Sequence, residues 1–293
     1  MSRCVVGLWL LLTCSLAAAE LPTLAGPAMG TTYRVTLAAD IPGTLRGEVH
    51  REVDAVLARI DRAASTWRAD SDASRFNRAA AHEWVTVSAD LLALVAAARE
   101  IHEQSEGAFD ITVGPAGSGR PTGMRHVVSR LSPPALRKSV PGVAIDLGGI
   151  GPGYAVDRIG ERLVSLGSQA HLVELGGEVR AWGQPSKGRL WRVRLTNADA
   201  CQGKSQEIDL AAGEAVATST CRPGRSPIDP RTGRPVAAAS SSGTPSSSRT
   251  ATVRAVNCAS ADAWAVAAIV LELAPDRDGT ITMPERSRSA QGP

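Results

Sequence analysis

The chain has little net charge, few cysteines and no apolar run long enough to cross a membrane, and each shortage removes a class of function. A formal net charge of +3 over 293 residues, with no block in which Lys or Arg alternates with aromatics, leaves out the electrostatic footprint of a nucleic-acid binder. The five cysteines and five histidines include no C-x-x-C pair and no zinc-ligand spacing. His50 and His102 are expected on solvated helix faces, and no internal repeat is present. The apolar run from Val5 to Leu16 falls short of the ~20 residues a spanning helix needs. With Arg3 before it and Ala17-Ala18-Ala19 after it, residues 1–19 are expected to be a signal peptide cleaved before Glu20, which directs the protein to the periplasm. Thr13 stands where a lipid-modified Cys14 would follow Gly, Ala or Ser, so cleavage is favoured over lipid attachment. Removal of the leader takes Cys4 and Cys14 with it. Cys201, Cys221 and Cys258 remain, enough for at most one disulfide in an oxidising compartment.

What is present reads as one α+β domain over residues 20–274, with no stable membrane span. Apolar residues at helical spacing predict helices from Gly43 to Ser65, from a Ser88 N-cap to Gly107, from Gly153 to Gly167, and from Ser260 to Leu273. Runs of β-type composition predict strands at Thr32–Leu37, Glu83–Val87, Val143–Leu147, His171–Leu175, Leu190–Leu195 and Thr252–Val256. The elements mix without a strict βαβ rhythm. Ala237 to Arg249 is Ser-rich and reads as a flexible loop. Residues 275–293 turn polar without an apolar period and read as a disordered tail.

Three segments could carry chemistry. Ala144 to Asp157 is an apolar run entering a glycine-rich turn that opens a helix, a form that can hold phosphate on backbone N–H groups or simply join a strand to a helix. It is not the dinucleotide fingerprint, because Tyr154 stands where G-x-G-x-x-G needs its third glycine. Asp229-Pro230-Arg231-Thr232-Gly233 has turn chemistry and needs no function as a turn. Gly107-Ala108-Phe109-Asp110 sets one of the two phenylalanines beside a carboxylate, and a core Phe with a capping Asp is its plain reading.

In order along the chain, these pieces resemble the ApbE family. Gly26 to Thr31 looks like the family's opening, and Ser65-Thr66-Trp67 with Ser74-Arg75-Phe76-Asn77 resembles its next block. Gly107 to Pro115, Asp146 to Asp157, Leu172 to Glu178, Ala215 to Ser219, Asp229 to Gly233 and Ala261-Asp262-Ala263 follow in the family's order. The resemblance implies a single T-fold-related domain and an FAD:protein FMN transferase. Such an enzyme moves FMN from FAD onto a Thr of an exported or membrane-bound redox partner and needs Mg2+. It further implies FAD contacts at Met29, Trp67, Ala108, Phe109, Asp110 and Asp146, cofactor-binding positions at Pro152 and Pro227, and catalytic roles for Asp262 and Asp229. Magnesium would be held by Asp262 with backbone help near Gly149 and Gly151.

The sequence departs from the family at Pro152, where a charged residue is usual, at Ser226, where the family has His, and at Pro227, which interrupts that block. Ala265 and Val266 stand where the family has a Thr four residues after the metal Asp, often with a further acid beside it, so two oxygen donors are missing. The closing strands also look absent after Leu273. An impaired relative that binds or stores FAD without transferring FMN therefore stays open beside the transferase.

Overall fold

A computed structural model describes residues 21–38, 43–114, 119–195, 206–221, 226–236 and 249–283. The expected leader, Cys201 and residues 237–248 of the Ser-rich segment lie outside the described residues. Cys221 and Cys258 are free, buried thiols.

The helices are α1 (Gly43–Ala64), α2 (Asp72–Arg78), α3 (Ala89–Gln104), α4 (Gly151–Ser165) and α5 (Cys258–Leu271). Val53, Val56, Leu57 and Ile60 give α1 its buried stripe. Ser88 caps α3 by accepting the Leu91 amide, as its position before the apolar period predicts. Asn257, not a residue nearer Ser260, caps α5: its side chain accepts the Ser260 amide at 2.8 Å.

The first strands are β1 (Thr23–Ala28), β2 (Thr31–Leu37), β3 (Val85–Thr86), β4 (Val127–Arg130), β5 (Ala135–Lys138), β6 (His171–Leu175) and β7 (Glu178–Trp182). After them come β8 (Trp191–Leu195), β9 (Gln206–Leu210), β10 (Ala215–Cys221), β11 (Ile228–Asp229), β12 (Arg234–Pro235), β13 (Arg249–Ala255) and β14 (Ile281–Thr282). Seven of these form the main sheet in the order β1-β2-β6-β7-β10-β13-β14. Pairing is antiparallel except at β14, which runs parallel to β13 with Ile281 opposite Val253. The polar stretch after Pro275 is thus not wholly without structure, because Ile281 and Thr280 are buried and close the sheet edge. Residues 284–293 lie outside the described residues.

One face of the sheet is covered by α4, over β6 and β7, and by α5, over β10 and β13, with α1 packed on α4. Alternation along β10 sends Ala215 and Ala217 into this core and Val216 to the other face. There the antiparallel β8–β9 pair covers Val179, Ala181 and Val216 with Trp191, Val193 and Ile208. A separate small sheet, β3-β5-β4, stands beside α2 and α3. Val143–Leu147, expected as a strand, forms no ladder and reaches the glycine turn as an extended segment.

Candidate functional site

The turn after α1 is tied by Ser65. Its Oγ accepts the amides of Trp67 and Arg68, both at 3.3 Å, and its carbonyl accepts the hydroxyls of Ser71 at 2.5 Å and Ser74 at 3.2 Å. This knot throws Trp67 outward, 96% exposed, an uncommon position for the largest aromatic. Trp67 stands between two cavities. One of about 810 Å³ gathers Met29, Gly30, Trp67, Asp146, Gly151 and Pro152. The other, about 530 Å³, continues past Trp67 and Asp146 to Ser74, Asn77, Arg78 and Arg120. Both fall in the ~300–1,000 Å³ range of small-molecule sites. Met29 and Gly30 form the two-residue turn between β1 and β2, with φ of 48° and 78°, as the twist of a tight hairpin requires. The turn carries the Met29 methyl to 3.8 Å from where a Cβ on Gly151 would stand.

The glycine-rich turn mostly serves itself. Gly148 donates its amide to the Asp146 carboxylate at 2.9 Å, Ile150 and Gly151 donate theirs to the Leu147 carbonyl, and Gly153 donates to Asp262 Oδ2 at 3.1 Å. Pro152 has no N–H. From Gly148 to Gly153, only the Gly149 amide is uncommitted among the described residues, so the expected phosphate cradle shrinks to that position. Gly153 is required by packing, since a Cβ there would overlap the Cys258 carbonyl at the crossing of α4 and α5.

Asp262 lies at that crossing, 6% exposed. Burial, and next the neighbouring Glu178 carboxylate, push its carboxyl well above the usual range, while the Gly153 amide pulls the other way. Burial likewise pushes Glu178 up to about 7. One turn along α5, a Val266 methyl comes within 3.1 Å of where a Cβ on Gly149 would stand. The structure therefore brings Asp262, Val266 and the glycine turn together. Asp262 sits in the wall between two helices and not on an exposed helix surface.

Other sequence-predicted residues are placed differently. Ala108 and Phe109 are core side chains, with the Phe109 ring 3.5 Å from the same virtual Gly149 Cβ. The Asp110 carboxylate accepts the Thr112 amide and hydroxyl and the Met124 amide, which fixes the loop after α3. His102 is partly exposed, and its Nδ1 lies 2.8 Å from the Phe109 carbonyl. His50 faces the Tyr33 hydroxyl at 3.2 Å. Asp229 is held by Arg231 through its backbone amide and its guanidinium, at 2.9 to 3.0 Å, and the guanidinium keeps its carboxyl below the usual range. The Pro227 carbonyl accepts the Val236 amide at 2.8 Å. Neither Asp229 nor Pro227 lines the two cavities. Glu178, Asp157 and Asn77 stand inside the sequence blocks that carry the resemblance but receive no role there, although the first two are charges set in apolar strand and helix patterns.

A single α+β domain with a ligand-sized cleft where an extended segment enters a glycine turn and a helix, walled by the exposed Trp67 and Asp146, has the form of a small-molecule site. The chain belongs to the ApbE family, whose family model matches residues 29–278. It is 33% identical over 250 residues to the FAD:protein FMN transferase of Vibrio cholerae serotype O1, covering 74% of each chain. Among solved structures it is similar to the Pseudomonas stutzeri flavinyl transferase ApbE in its apo form, with a TM-score of 0.71, 30% identity and coverage of 89% of this chain and 86% of the other. The ApbE protein of Thermotoga maritima superposes with a TM-score of 0.70 at 25% identity, over 86% of this chain and 87% of that one.

Proposed function

We propose that this protein is an FAD:protein FMN transferase, which moves the FMN part of FAD onto a threonine hydroxyl of a partner redox protein and releases AMP. The observation that carries the reading is the continuity of the two cavities around Trp67 and Asp146. A dinucleotide is long, and the junction offers it a planar aromatic face and an exposed acceptor carboxylate at mid-length. Trp67 stacks on a ring of the substrate, Met29 supplies apolar contact, and Asp146 accepts hydrogen bonds from substrate N–H or O–H groups. The threonine oxygen forms a bond to the FMN phosphorus, the P–O bond to AMP breaks, and the hydroxyl proton is released.

Magnesium fits the residues present, though not as a protein cage. Among the described residues, no three His, Cys, Asp or Glu side chains form a metal cluster. The donors are Asp262, the neighbouring Glu178 charge and the backbone at Gly149 and Gly151. That set suits an ion that keeps several waters and takes few protein ligands, and a cation there would offset the burial and like-charge cost that raises both carboxyl pKa values. When bound, the ion supplies Lewis-acid stabilisation of charge on the diphosphate.

Export follows from residues 1–19 read as a leader, so the acceptor is an exported or membrane-bound protein. Among the described residues, no helix is long and apolar enough to cross a membrane. A second reading, FAD binding without transfer, is favoured by one observation: at Val266 a methyl group faces Gly149 where an oxygen donor would complete the metal site. The test of both is incubation with FAD, magnesium and a flavin-acceptor domain, followed by a denaturing gel. A fluorescent acceptor band with AMP release supports transfer. FAD binding with no band supports the second reading, and no binding overturns both.

A further inference from the structure

We propose that Asn77 is a positioning residue for the cleft, its side-chain amide standing in for a neighbouring strand and holding Ile145 and Asp146 at the junction of the two cavities. The functional part of this inference rests on the flavin reading above.

The Ile145 residue is 1% exposed, so water cannot serve its backbone N–H and C=O, and unpaired groups at that depth are costly. The segment belongs to no sheet. Instead, Asn77 Nδ2 donates to the Ile145 carbonyl at 2.9 Å, and the Ile145 amide donates to Asn77 Oδ1 at 2.7 Å. One side chain thus supplies both bonds of a strand pair. The next amide, that of Asp146, donates to the Ile111 carbonyl at 2.7 Å. With the backbone pinned at both residues, the Asp146 side chain has one place to go, the exposed position it occupies in the walls of both cavities.

Asn77 is itself anchored. Lys138, 1% exposed, donates from Nζ to the Asn77 carbonyl at 3.0 Å and lies 4.9 Å from the centre of the Phe76 ring. A buried cation with no part in the transfer is thereby accounted for, because it fixes the end of α2 from which Asn77 reaches.

Asn77→Asp keeps the shape and the acceptor but sets a carboxylate oxygen against the Ile145 carbonyl. We expect FAD to bind about tenfold more weakly by quenching of tryptophan fluorescence, the loss of roughly one hydrogen bond's worth of order. KM for FAD should rise by the same factor with kcat changed less than about threefold, since binding is lost uniformly. Hydrogen exchange should quicken at residues 143–148 and not across the main sheet. Asn77→Ala, which leaves space for a bridging water, replaces the aspartate variant if that one does not fold cooperatively. Unchanged FAD affinity in a folded variant overturns the functional part, even if its melting point falls. Unchanged exchange at residues 143–148 overturns the positioning itself. If the unaltered protein binds no FAD, the flavin reading fails, and the exchange result still decides whether Asn77 holds the segment.

Discussion

Asp157 and Asp262 cap each other's helices. The Asp157 carboxylate on α4 accepts the Cys258 and Ala259 amides that open α5, at 2.9 and 3.0 Å, while the Asp262 carboxylate on α5 accepts the Gly153 amide in the first turn of α4, at 3.1 Å. Each helix presents free donors at its start, and here each takes its acceptor from the other. Arg180 closes the arrangement with an ion pair to Asp157 at 2.7 Å and a guanidinium 4.9 Å from the Trp182 ring centre.

Asp157→Ala is therefore expected to cost more than an ordinary cap. It strands two buried amides and leaves the half-buried Arg180 without its anion, a loss of about 2–4 kcal/mol. Urea denaturation measures it, and a change below about 0.5 kcal/mol, the scale of ordinary surface substitutions, would show that the mutual cap contributes little.

Asp262→Asn should abolish the magnesium dependence of transfer and still fold, because the amide oxygen can accept the Gly153 N–H. Val266→Thr adds a hydroxyl on the face that meets Gly149, and should lower the magnesium concentration needed for half-maximal transfer. A magnesium titration of both variants, with melting curves, checks this. A melting point lowered by a hydroxyl without a partner, with no change in metal response, would mark Val266 as packing alone.

Trp67→Ala should leave the melting point unchanged, since a side chain this exposed has little to lose on truncation. FAD affinity should fall about tenfold, the scale of one lost aromatic stack. Fluorescence quenching by FAD should shrink in the same variant. FAD should also bind the unaltered protein more tightly than FMN, having the adenosine end to place in the second cavity, and isothermal titration with both flavins checks this.

Stability should carry an acid limb from His171. The ring is fully buried, stacked at 4.9 Å on Trp182, with Nδ1 2.9 Å from the Ser168 hydroxyl and the Gly160 backbone as a weaker polar neighbour that only partly offsets burial. Burial lowers its pKa to about 4. A depressed folded pKa means that stability is full above the unfolded value near 6.5 and is lost as pH falls through about 4, by about 3 kcal/mol in all. Glu178 acts with the opposite sign: its folded pKa is raised to about 7, so its contribution is full below its ordinary carboxylate value and is lost as pH rises through 7. Comparing the pH dependence of melting in the unaltered protein and in His171→Phe isolates the histidine, whose limb between pH 6.5 and 4 should vanish in the variant.

The mature chain should begin at Glu20 when the protein is expressed with export intact. Mass spectrometry of the exported form decides, and a polypeptide retaining Met1 would refute the leader.

The amphipathic helices were legible because their period and caps agree: Ser88 announces α3, and the stripe from Val53 to Ile60 announces α1. Edge and irregular elements were not. Val143 to Leu147 has strand composition, but its partner at Ile145 is the side chain of Asn77, which no local pattern reveals. Gly26 and Pro27 concealed β1, and small residues concealed β10. The site was legible in its residues and less so in its depth. Helix α5 is apolar on nearly every side, with Ala259, Ala261, Ala263, Ala265, Ala267 and Ala268 all buried. Such a helix has no marked polar face, so periodicity could not tell that Asp262 lies inside, and only the pairing with Gly153 explains how its carboxylate is accommodated there.

The register of β1 on β2 decides how the open side of the main sheet meets other chains. The Leu37 amide bonds the Pro22 carbonyl at 2.9 Å and Thr23 lies opposite Thr36, so Thr23, Ala25 and Pro27 direct their backbone groups away from β2. Of these three outward positions Pro27 offers no donor. An incoming strand would find the ladder broken beside the Met29 turn, so the sheet resists self-association at the border where the cleft must stay open to a large substrate.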